Sequence, residues 1–361
     1  MTQHIILHVG FPKTGTTAIQ RTLADFPETF APHGIVYPKA GQARLAKRMR
    51  GHHNLAYELY DPAKFNPSGG SWEDLAAEVA ASDAPNIVLS SEAFRGHLAM
   101  VTAAKLRKLF PNHRRSIVMY IRPQWEYVES GYNQLARFGA TDESMADFYQ
   151  STGRKIADYR EIVETWQQAA HDCEVVCLPF ASAAKKMGIV EHFCHNLLGV
   201  DIKMEEMQQA NHKIGLKGLS AIYYCRDEYR KVAKDPKANL PSSAIMQLSR
   251  MSRQNDDVYN YTFLTPELVK TIYDDSVETN RWLAKAFPQF DTAEFLKPPS
   301  TSKATPVETW PALTPEETEP LRAVIRAALA ETREQRLRKA KADAAAAEAL
   351  EDEDGGSVAM D

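Results

Sequence analysis

Ile5-Ile6-Leu7-His8-Val9-Gly10-Phe11-Pro12-Lys13-Thr14-Gly15-Thr16-Thr17, near the start of the chain, reads as a short buried strand that turns directly into a helix. A glycine-containing turn that opens a helix aims several backbone N–H groups at one point. The helix dipole adds partial positive charge there, so the turn suits a phosphate. Thr16 and Thr17 can add hydroxyl donors from the first turn. Gly10 and Gly15 have the separation of the nucleoside-triphosphate loop GxxxxGK[ST], but Thr16 stands where that pattern places its lysine. The lysine is Lys13, inside the loop. There it would lie over a 5′-phosphate, near an oxygen that bridges to a transferred group. Such a position fits a donor with one 5′-phosphate and fits ATP poorly. The bland alternatives are a Gly/Thr turn with no ligand and a drifted kinase loop.

Outward from this turn, short Val- and Ile-rich runs alternate with helical patterns. Ile5–Val9, Ile87–Leu89, Ile117–Ile121 and Val175–Leu178 read as buried strands. Gly15–Ala24, Trp72–Ala81, Thr102–Phe110, Trp125–Phe138 and Tyr159–Ala170 read as helices between them. This order predicts an α/β fold: a P-loop-type three-layer domain with a central, mostly parallel sheet. The second half is helix-rich, with helices expected near 186–198, 215–234, 241–253 and 266–286. The domain is expected to span 1–297, followed by a linker over 298–313 that is rich in Pro, Ser and Thr. A C-terminal helix over 314–350 opens on Thr314-Pro315-Glu316-Glu317, a good N-cap followed by Pro at the first helical position. Residues 351–361 form an acidic tail expected to be disordered. The helix carries a short apolar stripe, Leu321, Val324, Ile325, Ala328 and Leu329. It suits weak docking on the main domain, with pairing to a second copy as the alternative.

A second motif sits at the end of the Ser116–Ile121 strand, where Tyr120-Ile121-Arg122-Pro123 leads into a helix carrying Ser130. Seven residues from Pro123 to Ser130 make about two turns, so both lie on nearly one face. Arg122 and Ser130 can therefore converge on one anion at the carboxyl end of a parallel strand, where α/β folds bind ligands. Alone, Arg122 would read as a surface ion pair. Together with the Lys13 loop it implies a ligand with two separated phosphates, such as a 3′,5′-bisphosphorylated nucleoside.

The bulk numbers bound the alternatives. The chain has 361 residues, 44% apolar and 25% charged, with 43 Lys plus Arg against 47 Asp plus Glu and a formal charge of −4. That balance argues against nucleic-acid binding, which needs a basic face. Four scattered cysteines, Cys173, Cys177, Cys194 and Cys225, read as reduced residues rather than a disulfide framework or a zinc site. No secretory leader and no membrane-length apolar run is visible, so a cytoplasmic location is expected.

These two motifs resemble those of the PAPS-dependent sulfotransferase superfamily (PAPS, 3′-phosphoadenosine-5′-phosphosulfate). Phe11-Pro12-Lys13-Thr14-Gly15-Thr16-Thr17 is similar to the family's 5′-phosphosulfate loop. Tyr120-Ile121-Arg122-Pro123 with Ser130 is similar to its 3′-phosphate element. The likeness covers about 150 N-terminal residues and points to the bacterial and carbohydrate-type branches. The later glycine-rich donor segment of the small-molecule branch is absent, and Asn211-His212-Lys213-Ile214-Gly215-Leu216-Lys217-Gly218 is only a loose substitute. The resemblance implies that Pro12, Lys13, Thr14, Gly15, Thr16 and Thr17 surround the 5′ end of PAPS. It implies that Arg122 and Ser130 hold the 3′-phosphate. It also implies sulfuryl transfer to an acceptor hydroxyl or amine, with a carbohydrate favoured and adenosine 3′,5′-bisphosphate (PAP) as product.

In-line transfer needs a base, and no metal is expected. Glu92, just past the Ile87–Leu89 strand, is the leading candidate; its alternative role is to open a helix, since Ser90-Ser91-Glu92 is also a helix-start pattern. His53, His52 and His97 are rivals. An ATP- and Mg²⁺-dependent kinase and a non-catalytic bisphosphonucleotide-binding module remain as alternatives. Trp125, Tyr127 and Tyr132 are candidates to stack on adenine, and Tyr223, Tyr224, Tyr229, Tyr259 and Tyr261 to line an acceptor cleft. For both sets packing is the competing role.

Overall fold

The computed structural model describes residues 2–42, 50–94, 96–180, 182–204, 214–254, 258–287, 295–297, 304–335 and 337–338. The fold is α/β. Its parallel sheet contains β1 (His4–Val9), β2 (Ile35–Val36), β3 (Asn86–Ser91), β4 (Arg114–Ile121) and β5 (Glu174–Pro179), in spatial order β2-β3-β1-β4-β5. The four long strands are those read from the sequence. Their Val/Ile runs suit a sheet covered on both faces. Ile5, Leu7, Val9, Leu89 and Met119 point to one face, and Ile6, Val88, Val118 and Tyr120 to the other.

The principal helices are α1 (Thr16–Asp25), α2 (His53–Tyr60), α3 (Trp72–Ala80), α4 (Ala99–Leu109), α5 (Gln124–Arg137), α6 (Tyr159–Ala169), α7 (Ile189–Leu198), α8 (Leu216–Ala233), α9 (Ser242–Gln254) and α10 (Pro266–Ala286). Leu55 of α2, Trp72 of α3, Leu106 of α4, Tyr127 of α5, Trp166 of α6 and Leu283 of α10 pack on the first face of the sheet. Ile19 and Leu23 of α1 and Phe193 of α7 cover the second. Fully burying such a side chain is worth about 1.5–3 kcal/mol.

Short elements escape the sequence reading, β2 and α2 among them. β2 has two residues, and α2 is two turns long with no side-chain cap at His52. Tertiary contact holds α2 instead: the buried Trp72 indole donates to the Leu55 carbonyl at 2.9 Å. The helix expected over 186–198 divides at Gly188, whose φ of 96° is outside helical geometry, into Ser182–Met187 and α7. Pro123 stands just before the first helical residue, its carbonyl accepting from Tyr127 N–H at 3.0 Å.

The chain divides into two compact units. The first, Met1–Gly131, Phe148–Gln208 and Pro266–Thr301, contains the sheet. The second is Tyr132–Asp147, Gln209–Thr265 and Ser302–Asp361. In the second unit Tyr223 stacks on Trp310 with ring centroids 3.9 Å apart, and the Arg226 guanidinium lies 4.4 Å from the Tyr223 ring centre. Thr314 and Glu317 form a reciprocal cap. In the helix over 321–335 that follows, Leu321, Val324, Ile325 and Ala328 are buried, so this part of the apolar stripe is covered within the chain. Residues 298–303 of the expected linker, 336 and 339–350 of the expected helix and the whole tail lie outside the described residues.

One buried pair anchors the element that carries Arg122. Gln124 Nε2 donates to Asn280 Oδ1 at 2.7 Å, while Asn280 Nδ2 donates to Gln124 Oε1 at 3.2 Å and to the Phe295 carbonyl at 3.1 Å. Asn280→Leu strands the Gln124 amide and should cost about 1–3 kcal/mol in a urea titration. Adding Gln124→Leu should recover part of that loss, because both polar partners are then gone.

Candidate functional site

β1 and β4 are neighbours, but the helices that follow them go to opposite faces of the sheet: α1 to one, α5 to the other. Adjacent parallel strands with divergent connections leave a crevice at their carboxyl ends, the usual ligand position in such sheets. The loop after β1 ends at Gly15, and the segment after β4 begins at Arg122.

Internal bonds shape the first loop. Thr14 Oγ1 donates to the Phe11 carbonyl at 2.7 Å, Thr16 Oγ1 reaches the same oxygen at 3.1 Å, and Gly10 N–H donates to the Ser91 carbonyl at 3.1 Å. A Cβ at Gly10 would lie 2.4 Å from Thr16 Cγ2 and 2.9 Å from Glu92 Cγ, so only glycine fits. Gly15 has φ 84°, and a Cβ there would meet Ile189 at 2.8 Å. Lys13 adopts φ 67°, a left-handed conformation that costs a side chain roughly 1–2 kcal/mol. Pro12, Lys13 and Thr17 are exposed, whereas Thr14 and Thr16 are buried. Thr14 therefore spends its hydroxyl on the loop itself.

Arg122 meets this loop directly: its Nη1 donates to the Lys13 carbonyl at 3.3 Å. Its Nε and Nη2 both donate to Glu126 Oε2, at 2.9 and 2.8 Å. The guanidinium lies 5.9 Å from the centre of the Phe180 ring, and Tyr159 Oη donates to the Arg122 carbonyl at 2.8 Å. Of five N–H donors on an arginine side chain, two remain beyond these bonds among the described contacts. Ser130 is half-buried two turns along α5, but Arg122 pairs with Glu126, one turn in. The i,i+4 spacing of Arg122 and Glu126 is the signal that could have revealed this pair.

Glu92 is half-buried beside Gly10 and Thr16. Burial pushes its carboxyl above the usual carboxylate range, and a hydrogen bond from Thr16 and the Lys13 charge offset this in part. The candidate histidines separate. His52 is buried with both ring nitrogens engaged, Nε2 with the Pro38 carbonyl at 2.9 Å and Nδ1 with Ser90 N–H at 3.1 Å. It is a strut. His53 begins α2, with Nδ1 2.6 Å from Ser91 Oγ, the residue before Glu92. Burial pulls its pKa down to about 4, so the imidazole is neutral at pH 7. His97 is exposed in the Gly96–Leu98 turn, edge-on to Tyr60 at 5.8 Å.

Beneath the crevice lies a polar layer absent from the sequence reading. His8 Nδ1 bonds with Ser90 Oγ at 2.9 Å, and Gln20 Nε2 donates to that oxygen at 3.2 Å. His8 Nε2 is buried with no partner among the described residues. The candidate adenine-stacking residues are packing residues in part: Tyr127 and Tyr132 are buried, and Tyr132 Oη donates to the Glu143 carbonyl at 2.8 Å. Trp125 is half-buried, 6.3 Å from Tyr273. Tyr223, Tyr229 and Tyr261 are buried in the second unit, while Tyr224 is half-buried and Tyr259 exposed. Among the described residues no group of three His, Cys, Asp or Glu is placed to hold a metal ion.

No family model matches the chain, and no curated protein matches it. Among solved structures it is similar to a sulfotransferase from Alicyclobacillus acidocaldarius, with TM-score 0.34 and 16% identity, over 65% of this chain and 97% of that one. A likeness so loose leaves the chemistry to this chain's own residues.

Two outcomes follow from the geometry. Lys13→Gly relieves a left-handed side chain, so the urea midpoint should hold or rise, whereas Lys13→Ala keeps the strain; both lose the ammonium. The second concerns pH. Burial takes His8 to about 3 and His52 to about 4, against 6.5 when unfolded. The unfolded chain therefore binds more protons below pH 6.5. Stability from these groups is full above that pH and drains as pH falls towards 4, by about 1.4 kcal/mol per pH unit for each histidine. Urea titrations at stepped pH should show this, with a shallower fall in His8→Leu.

Proposed function

We propose that the crevice binds the two ends of an adenosine 3′,5′-bisphosphate and that the chain is a PAPS-dependent sulfotransferase. The observation that supports it is the 3.3 Å bond from Arg122 to the Lys13 carbonyl, which brings two basic residues from separate loops to one crevice. In this proposal the loop Pro12–Thr17 takes the 5′-phosphosulfate on backbone N–H groups, the Thr17 hydroxyl and the Lys13 ammonium. Arg122 takes the 3′-phosphate with its two remaining N–H donors, helped by Ser130.

The acceptor oxygen or nitrogen attacks sulfur in line. The bond from sulfur to the bridging phosphate oxygen breaks, and PAP leaves. Lys13 offsets the charge that grows on that oxygen. Glu92 takes the acceptor's proton, since burial raises its basicity, an effect that the Thr16 hydrogen bond and the Lys13 charge offset in part. His53 is the second candidate, a neutral imidazole held by Ser91. The proposed transfer uses no metal. A carbohydrate acceptor and a cytoplasmic location belong to the same proposal; among the described residues no helix is long and apolar enough to cross a membrane.

Calorimetric titration with PAP, then labelled-PAPS transfer to a panel of glycans and small alcohols, tests this. Arg122→Ala and Lys13→Ala should each weaken PAP by roughly tenfold to a hundredfold. Glu92→Gln should keep PAP binding but slow transfer by about 10²–10⁴-fold. In the wild type the rate should rise with pH as Glu92 deprotonates, above the ordinary glutamate range, and the Gln variant should lack that limb. PAP binding no tighter than AMP would sink the proposal, and magnesium-dependent ATP turnover would favour a kinase.

A further inference from the structure

A row of rings leads away from Glu92 within the first unit. His53, Tyr57 and Tyr60 share one face of α2 at helical spacing. The His53 and Tyr57 ring centroids are 6.4 Å apart, those of Tyr57 and Tyr60 6.1 Å, and those of Tyr60 and His97 5.8 Å. The row starts where His53 Nδ1 meets Ser91 Oγ at 2.6 Å, one residue before Glu92. It then comes to the surface: Tyr57 is half-buried, Tyr60 is 41% exposed and His97 is exposed. Beside His97, Met100 and Val101 at the start of α4 are also exposed. No hydrogen bond among the described residues uses the Tyr60 hydroxyl or the His97 ring.

We infer that this row is the acceptor subsite and that its occupant is an oligosaccharide, an inference that rests on the sulfotransferase reading of the crevice. Each ring joins an apolar face to a polar tip, the pairing that a pyranose matches with its C–H face and rim hydroxyls. His53 to Tyr60 spans about 10 Å of helix, and His97 extends it. A single phenolic or alcoholic acceptor would fill only one step of such a row. An acyl chain would find imidazole and phenol groups where it needs hydrocarbon. A run of sugar rings fits both the length and the alternation, and places one ring's hydroxyl beside Glu92.

The probes are cellotriose and chitotriose, titrated into the full chain with ¹³C-labelled tyrosine rings and no nucleotide present. At least one trisaccharide should shift the Tyr57 and Tyr60 resonances, and its monosaccharide should bind far more weakly. Tyr57→Ala and Tyr60→Ala should each weaken the trisaccharide by roughly threefold to tenfold and leave PAP affinity unchanged. In transfer assays, Tyr60→Ala should raise KM for the trisaccharide and hold kcat within twofold. If neither trisaccharide moves these rings, or if both bind Tyr57→Ala and Tyr60→Ala as tightly as the wild type, the subsite is overturned while PAP binding still stands. Failure of PAP to bind overturns the crevice reading, a result read in a separate titration.

Discussion

The guanidinium of Arg122 donates to the carbonyl of Lys13, and through that bond the segments after β1 and β4 form one surface. The sheet makes the meeting necessary. β1 and β4 lie side by side about 5 Å apart, with β4 running two residues past the end of β1, and their onward helices go to opposite faces of the sheet. What remains between them is a crevice lined by backbone that the strands hold rigidly. A site built this way depends little on loop flexibility, because each loop is bonded either to itself, as Thr14 and Thr16 are to Phe11, or to its neighbour.

Gly10 sets the second constraint. Thr16 and Glu92 both come within contact of the place where its side chain would be. The absent side chain therefore lets a hydroxyl from α1 and a carboxylate from the end of β3 sit over the same turn. The price is conformational: Lys13 and Gly15 both take positive φ to bring the chain round. A lysine held where glycine would be comfortable is backbone strain, and strain of this kind collects at functional sites.

Most of the sheet is legible in the sequence because buried parallel strands are written as short apolar runs rich in Val and Ile, and β1, β3, β4 and β5 all carry one. The loop and Arg122 are legible because glycine spacing and a strand-end arginine are local signals. What stays hidden is tertiary. Sequence alone leaves His52 and His53 equivalent neighbours. The start of α2 separates them, turning His52 into the core against Pro38 and Ser90 and leaving His53 against Ser91. That helix is short and uncapped, held by Trp72 from the next helix, so no local pattern announces it. The bond from Arg122 to Lys13 joins residues 109 positions apart and has no periodicity to read.

The polar layer under the crevice runs against the rule that parallel strands are apolar throughout. His8, Ser90 and Ser91 occupy the last positions of β1 and β3, where Ile or Val would pack at no cost. Burial depresses His8 and His52, so both are carried uncharged, and His8 Nε2 has no described partner to repay its desolvation. Buried polar residues gather at the carboxyl ends, while Ile5-Ile6-Leu7 and Ile87-Val88-Leu89 in the middle of the same strands are hydrocarbon. They hold the end of β3 to α1 and α2 through Gln20 and His53, and to β1 through His8. The strands give up stability at the one edge where the loops above them must keep a fixed shape.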